Sequence, residues 1–441
     1  MTNGRTASPI DPRTRVGRAS SRAIIAWSLF DWANSGFPTV IITFVFAGYF
    51  MHFVAPSGTA GFSDWGIAIA ASGLVIALTS PLLGAIGDRV GRVKPWLFGA
   101  SLVCVAASAL LWYAHPTPDD ALWALAFVAI ANLGFEVGIV FYNALLPTLV
   151  PRSRLGRLSG WAWGLGYGGG LTCLAIVLLV FVEAEPPPLG LDPAEAEQFR
   201  IAGPVVAAWF VVFALPLFLF TPDRPATGAS LGLATREGVS VLLRTLRRVL
   251  KEYRNIARFL LARLFYIDGL NTMFMFGGIY ATGTFGMGIA EMIYFGIALN
   301  IAAGLGAAGF GWVDDWIGPK RTILLALGGL IVLGIPLLLV PSKTLFWIVA
   351  VPLGLFMGPA QAASRSLMAR LSPTKMTGEM FGLFALSGKI TAFLGPSLVA
   401  AITVATESQR AGMAVIIVLI AVGGVILLRV REPKRLKDEP S

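Results

Sequence analysis

"GAIGDRVGRVK" occupies residues 84–94, and "GWVDDWIGPKR" at 311–321 repeats its skeleton. Gly84 matches Gly311, Asp88 matches Asp315, and Gly91 matches Gly318. Two further pairs keep the same order. "PRSRLGRLSG" (151–160) parallels "PTKMTGEMFG" (373–382), pairing Pro151 with Pro373, Gly156 with Gly378 and Gly160 with Gly382. Near the start of each half, Asp31, Asn34 and Ser35 correspond to Asp268, Asn271 and Thr272. Three matches in register order mark a duplicated chain.

The surroundings of these motifs set the class. The chain has 441 residues, 56% hydrophobic and 13% charged, with mean hydropathy +0.76. Soluble domains carry about 25% charged residues, so this composition belongs to an integral membrane protein. The 50 glycines are scattered through apolar runs, where small residues let helix backbones approach. Cys104 and Cys173 both fall in apolar segments, so a disulfide framework is not indicated. The basic first 22 residues are not followed by a short apolar core with a small-residue cleavage site, so the first apolar run reads as a retained membrane helix.

Twelve spans are expected, at about 24–52, 64–87, 95–114, 120–149, 158–182, 201–220, 259–283, 288–312, 321–341, 344–368, 378–403 and 408–429. Each is near the ~20 residues that cross a bilayer. Alternate loops are basic: one set contains Arg89, Arg92 and Lys94, then Arg152, Arg154 and Arg157, then Lys320 and Arg321, then Arg370 and Lys375. The other set holds Arg200, Lys343 and Arg410 beside several acids. The positive-inside rule places the basic loops and both termini in the cytoplasm, with a bacterial inner membrane the expected location. The net charge of +10 is therefore topological and does not imply a nucleic-acid partner.

The expected organisation is a tail (1–23), a six-helix bundle (24–220), a linker (221–258), a second six-helix bundle (259–429) and a tail (430–441). In the linker, Val239, Leu242, Leu243, Leu246, Val249, Leu250 and Tyr253 recur at helical spacing, with Arg244, Arg247, Arg248 and Lys251 on the other face. That pattern suits an amphipathic helix on the inner leaflet or a solvated linker helix.

Gly84, Asp88, Arg89, Gly91 and Arg92 resemble the signature loop between the second and third spans of the major facilitator superfamily. Glycines permit tight turning and close approach, while acid and arginines offer charge-assisted bonds to neighbouring helix ends. The second copy keeps Asp315 and Gly318 but has Trp316 and Pro319 at the basic positions, so the first copy is the expected principal gate. Within the superfamily the chain resembles the vacuole-effluxer-like branch, whose fungal members are associated with amino-acid export from the vacuole. "FDWANSGFPTVIITFVF" (30–46), "FYNALLPTLVP" (141–151), "GWAWGLGYGGG" (160–170), "QAASRSLMARLSP" (361–373) and "FGLFALSGKITAFLGP" (381–396) carry that resemblance. It implies an all-α fold of two pseudo-symmetric six-helix bundles, with spans one, four, seven and ten lining a central cavity.

Intramembrane polar residues concentrate in those spans: Asp31 and Asn34; Glu136, Tyr142 and Asn143; Asp268 and Asn271; Gln361 and Arg365; with Lys389 added by span eleven. An ionised side chain at the bilayer centre costs roughly 2.5–3.5 kcal/mol on insertion scales, so these groups are expected to share a hydrated pathway or to pair across it. Asp31 with Asn34, Asp268 with Asn271, and Gln361 with Arg365 share helix faces by spacing. Three acids and two bases suit a zwitterion, with its carboxylate on Arg365 or Lys389 and its ammonium on an acid. Structural pairing, for example Asp268 with Lys389, is the competing account. Asp31, Glu136 and Asp268 are the candidate proton carriers, since desolvation favours the neutral carboxyl.

The expected activity is secondary or facilitated transport of a small polar solute, amino acids first, by alternating access with H+ as the candidate coupling ion. Export of drugs, peptides or lipid-like solutes by the same fold is the alternative. The glycine run at 164–170 lacks the Lys-Ser/Thr of a nucleotide loop, so no ATP-binding module is expected. No cofactor or metal is expected either, and a membrane enzyme or sensor is disfavoured because no catalytic constellation can be assembled.

Overall fold

A computed structural model describes residues 19–56, 58–227 and 238–432; the outer parts of both expected tails and the middle of the linker lie outside them. Among the described residues, twelve helices are long and apolar enough to cross a membrane. Spans 1–6 are Ser21–Val54, Ser63–Val90, Lys94–Tyr113, Pro118–Leu149, Arg152–Val182 and Glu197–Phe220. Spans 7–12 are Arg254–Phe285, Glu291–Ile317, Pro319–Leu339, Lys343–Leu371, Thr374–Thr406 and Gln409–Leu428. The expected spans are recovered, mostly extended by several residues at one or both ends.

Spans 1 and 11 depart from regular helix beside a proline, whereas span 5 ends in a π-helical stretch, Val177–Val182, and span 3 in a 3-10 turn, Leu111–Tyr113. Span 1 is α-helical through Asn34 and then widens into a π-helical stretch, Phe37–Phe44. Pro38 has no N–H to give, and Thr43 Oγ1 donates to its carbonyl at 2.8 Å. Span 11 is two helices, Thr377–Lys389 and Leu394–Thr406. Pro396 cannot donate to the Ala392 carbonyl, and its ring crowds that carbonyl. The break falls at that point.

The halves meet on the side that carries the basic loops. Span 2 packs on span 11, span 5 on span 8, and span 4 on spans 10 and 11. Glycine makes these contacts possible. A Cβ at Gly382 would sit 2.5 Å from Pro81 Cα, and one at Gly160 would sit 2.4 Å from the Ala307 carbonyl oxygen. The repeat pairs Gly160 with Gly382, so equivalent glycines serve both seams. The run at 164–170 also packs helices: Gly166, Gly169 and Gly170 lie against span 1, and Gly164 against span 8.

The linker contains the expected helix, Gly238–Lys251; the side chains of 239–243 lie outside what is described. Thr245 and Val249 are buried, whereas Leu246 and Leu250 are exposed. The helix rests on spans 2 and 7, and Thr245 Oγ1 donates to Glu379 Oε2 at 2.6 Å. One of its faces is therefore turned to protein, while Leu246 and Leu250 stay exposed on another. A threonine inside an apolar stripe marks that contact.

Candidate functional site

Arg365 is the most heavily bonded of the expected residues. It sits in the last third of span 10, buried to 3% exposure. Its Nη1 donates to Asp31 Oδ2 of span 1 at 2.9 Å. Nε donates to Ser159 Oγ at 2.8 Å and Nη2 to the Ser159 carbonyl at 2.7 Å. A longer contact of 3.5 Å reaches Asn143 Oδ1. The guanidinium also lies 5.2 Å from the Trp27 ring and 5.6 Å from the Tyr142 ring, two rings stacked at 4.3 Å. Burying a charge is tolerable when it is paired and its N–H groups are satisfied, and here both conditions hold. The donors are committed, so this arginine is no open fork for a carboxylate in the present conformation.

Glu136 of span 4 and Lys389 of span 11 form a second bridge between the halves, Nζ to Oε1 at 2.6 Å. The side chains keep 29% (Lys389) and 18% (Glu136) exposure. This pair is the more accessible of the two. The pairing of Lys389 with Asp268 considered from sequence does not occur.

Asp268 is buried against span 11 instead. Its Oδ2 accepts the Gly395 amide hydrogen at 2.9 Å, at the start of the outer helix of that broken span. Oδ1 is buried without a partner. Asn271, expected to share its face, is exposed, so only Asp268 of the two is enclosed. Gln361 makes a 3.5 Å contact with the Tyr167 hydroxyl, and Asn34 is buried with its Nδ2 unpartnered.

Arg263 was missed in the sequence. Buried on span 7, it donates to the Phe384 carbonyl at 2.6 Å and to Ser387 Oγ at 2.8 Å, with its guanidinium 3.5 Å from the Phe384 ring. Its position five residues before Asp268 was the available signal.

The paired motif loops make two matching sets of bonds between the halves. Asp88 Oδ2 accepts the Glu379 amide hydrogen at 2.8 Å, where span 11 begins. Asp315 accepts those of Gly156 and Arg157 at 2.8 and 3.2 Å, where span 5 begins, and pairs with Arg157 Nε at 2.8 Å. A helix N-terminus carries partial positive charge and free amide hydrogens. A carboxylate placed there meets both. The second copy, expected to be the weaker because Trp316 and Pro319 displace its basic residues, makes the fuller set of bonds, since Arg157 and Arg370 supply the charge from spans 5 and 10.

In the first copy the cation on Asp88 is Arg224, at 3.1 Å. Burial lowers the Arg224 pKa, and Asp88 and then Asp223 oppose that shift. Asp223 accepts the amide hydrogens of Val93 and Lys94 at 2.9 and 3.2 Å, and Glu432 takes the same part for Lys320 at 2.5 Å. Gly91 and Gly318 turn with φ of +87° and +95°, the region that favours glycine. Arg92 is exposed, while the Arg89 carbonyl accepts from Thr227.

Comparison with known proteins agrees with this architecture. Residues 7–172 match the model described as Major Facilitator Superfamily. An uncharacterized MFS-type transporter, YxiO of Bacillus subtilis, is 28% identical over 412 residues, covering 92% of this chain and 94% of its own. The gentisate transporter of Corynebacterium glutamicum is 26% identical, covering 80% and 78%. Autophagy-related protein 22 of Cryptococcus neoformans is 25% identical over 62% of this chain, which spans about half of that fungal protein. Among solved structures, the human organic anion transporter MFSD10 superposes with TM-score 0.73 at 14% identity, covering 92% of this chain and 99% of its own. FucP in its outward conformation gives 0.71 at 14%, covering 93% and 99%. Residues 151–439, well over half of the chain, match the model described as Vacuole effluxer Atg22 like, and the chain belongs to that family.

Proposed function

We propose that this protein moves a small solute bearing both charges, amino acids being the first class, and that Glu136 and Lys389 form the seat for it. The observation that carries the reading is their partly exposed bridge between the halves. A zwitterion entering there replaces one ion pair with two: its ammonium on Glu136 and its carboxylate on Lys389. Alternating access between the two six-helix bundles then follows, because both contacts belong to opposite halves. Between solute turnovers the mutual pairing of Glu136 and Lys389 keeps either charge from being left alone, which would be costly in a buried setting. Asp31 and Arg365 act as a structural cross-tie, the three nitrogens of the arginine being bonded to Asp31, Ser159 and Asn143. On the positive-inside reading the sealed end is cytoplasmic, and the chain resides in a bacterial inner membrane.

A second reading is an organic carboxylate without an ammonium. Arg263 favours it, as a buried cation bonded to a carbonyl and a hydroxyl, and so does the relative named for gentisate. One panel separates the two. Purified protein in liposomes preloaded with unlabelled solute is offered labelled amino acids, then labelled aromatic carboxylates, and counterflow is measured. Counterflow of an amino acid supports the first reading, counterflow of carboxylates alone supports the second, and none of either removes both.

A further inference from the structure

We infer that Asp268 is a proton-carrying group that controls the break in span 11, at a site distinct from the solute seat. The inference deepens the transport reading by assigning its coupling ion and the residue that takes it.

Sequence alone offered Asp31, Glu136 and Asp268 as carriers, and the structure separates them. Asp31 lies on Arg365 and Glu136 on Lys389, at 2.9 and 2.6 Å. Asp268 makes no ion pair among the described residues. The duplication explains why. The 222-residue offset that pairs Pro151 with Pro373 carries Asn143 onto Arg365. The first acid of the repeat therefore meets arginine, while the second has only asparagine at the equivalent place.

Among the described residues, the charged groups of the neighbouring spans are engaged elsewhere. Span 12 presents Ile416, Leu419 and Ile420 beside Gly269, and its Arg410 reaches the Val340 carbonyl. On span 8, Glu291 is held by Lys343. On span 7 itself, Arg263 bonds to Phe384 and Ser387, and Tyr266 to Ser364. On span 10, Arg365 is bound to Asp31 and Arg370 to Asp314. On span 11, Lys389 is taken by Glu136 and Glu379 by Thr245 of the linker helix.

Asp268 is nonetheless 1% exposed, with Oδ1 unpartnered, and Thr272 Oγ1 is equally buried and unpartnered. The two oxygens lie 3.3 and 2.1 Å from the point a Cβ of residue 395 would occupy. Both face the gap that glycine leaves at the hinge. An isolated buried carboxylate is relieved by taking a proton, which needs one lone pair and no coordination shell. Ionised, Asp268 holds the Gly395 amide and the positive end of the outer helix. Protonated, it loses that charge–dipole attraction and its hold on the hinge. The proton is thereby tied to the shape of span 11, whose inner helix carries Lys389 and Glu379.

The test needs no solute. An environment-sensitive dye is attached through Phe393→Cys, at a position 67% exposed at the hinge, and followed through a pH titration with infrared detection of the protonated-carboxyl band. In the parent protein the dye signal and the band change together, and both changes vanish in Asp268→Asn. Thr272→Val, a near-isosteric change, shifts the midpoint and guards against misfolding of the first variant. A dye response that survives in Asp268→Asn, an unchanged midpoint in Thr272→Val, or a response to Na+ and not to pH overturns the proposal. Failure of the amino-acid panel leaves this result standing, so the two claims fail separately.

Discussion

Asp315 accepts the Gly156 amide hydrogen at 2.8 Å, so an acid of the second half caps a helix of the first. Asp88 returns the bond to Glu379. Each half is held by the other through equivalent residues of the duplication, and both bonds lie on the basic-loop side. We propose that the pair works as a latch, because a carboxylate at a helix start loses its amide partners once the halves part.

Removing one latch charge will open that side. Hydrogen bonds to charged groups contribute about 1.5–3 kcal/mol, which is roughly tenfold or more in a conformational equilibrium. Spin labels at the exposed positions Arg92 and Lys375 report the separation of the halves. Asp88→Asn and Asp315→Asn each should broaden the distance distribution toward longer values, and the double variant should do so further. An unaltered distribution in the double variant would show that the bonds are incidental.

Bulk on a seam glycine acts on the same equilibrium by sterics. Valine at Gly160 or Gly382 places carbon where the opposing backbone already lies, at 2.4–2.5 Å even for a Cβ. The same labels should then read the parted state almost exclusively. Alanine at Gly309, where nothing lies within 4 Å of a Cβ, is the control and should leave the distances unchanged.

The Asp31–Arg365 tie is a matter of stability. Removing one partner of a buried pair costs about 3–5 kcal/mol, since it strands the other charge. Arg365→Gln should therefore lower the melting temperature in detergent clearly, Asp31→Asn should lower it less, and the combined variant should recover part of the loss. Strict additivity in that cycle would mean that the two side chains are not coupled.

Thr245→Val removes the bond from the linker helix to Glu379. Neutral donors contribute about 0.5–1.5 kcal/mol, and this acceptor is a carboxylate, so a shift of severalfold toward the parted state is expected with the same labels.

The duplicated fold was readable because motif pairs such as Asp88 with Asp315 stand at equal depth in both halves. The polar residues of spans 1, 4, 7 and 10 were readable too, because lipid gives them no other reason to be there. Their partners were not. Spacing along one helix says nothing about which of three acids meets Lys389. Pro396 was an available signal for the hinge in span 11 that the spans as read, with 378–403 continuous, did not use, and it gave no reason for Gly395 to meet Asp268. Arg224, Asp223 and Glu432 sit in loops where a basic or acidic residue reads as topology, and only the folded chain brings them to the latches. The bonds of the second copy were not legible because Arg157 and Arg370 come from other spans than the motif they meet.

The most direct test of the central claim is counterflow in liposomes of whichever labelled amino acid the parent protein carries, repeated with Glu136→Gln and Lys389→Gln. If the solute sits between these two charges, each substitution removes one of its ion pairs, and initial rates at low solute concentration should fall at least about tenfold for roughly 1.4 kcal/mol of lost binding. Rates equal to the parent's in both variants, with protein folded and inserted to the same extent, would contradict the account.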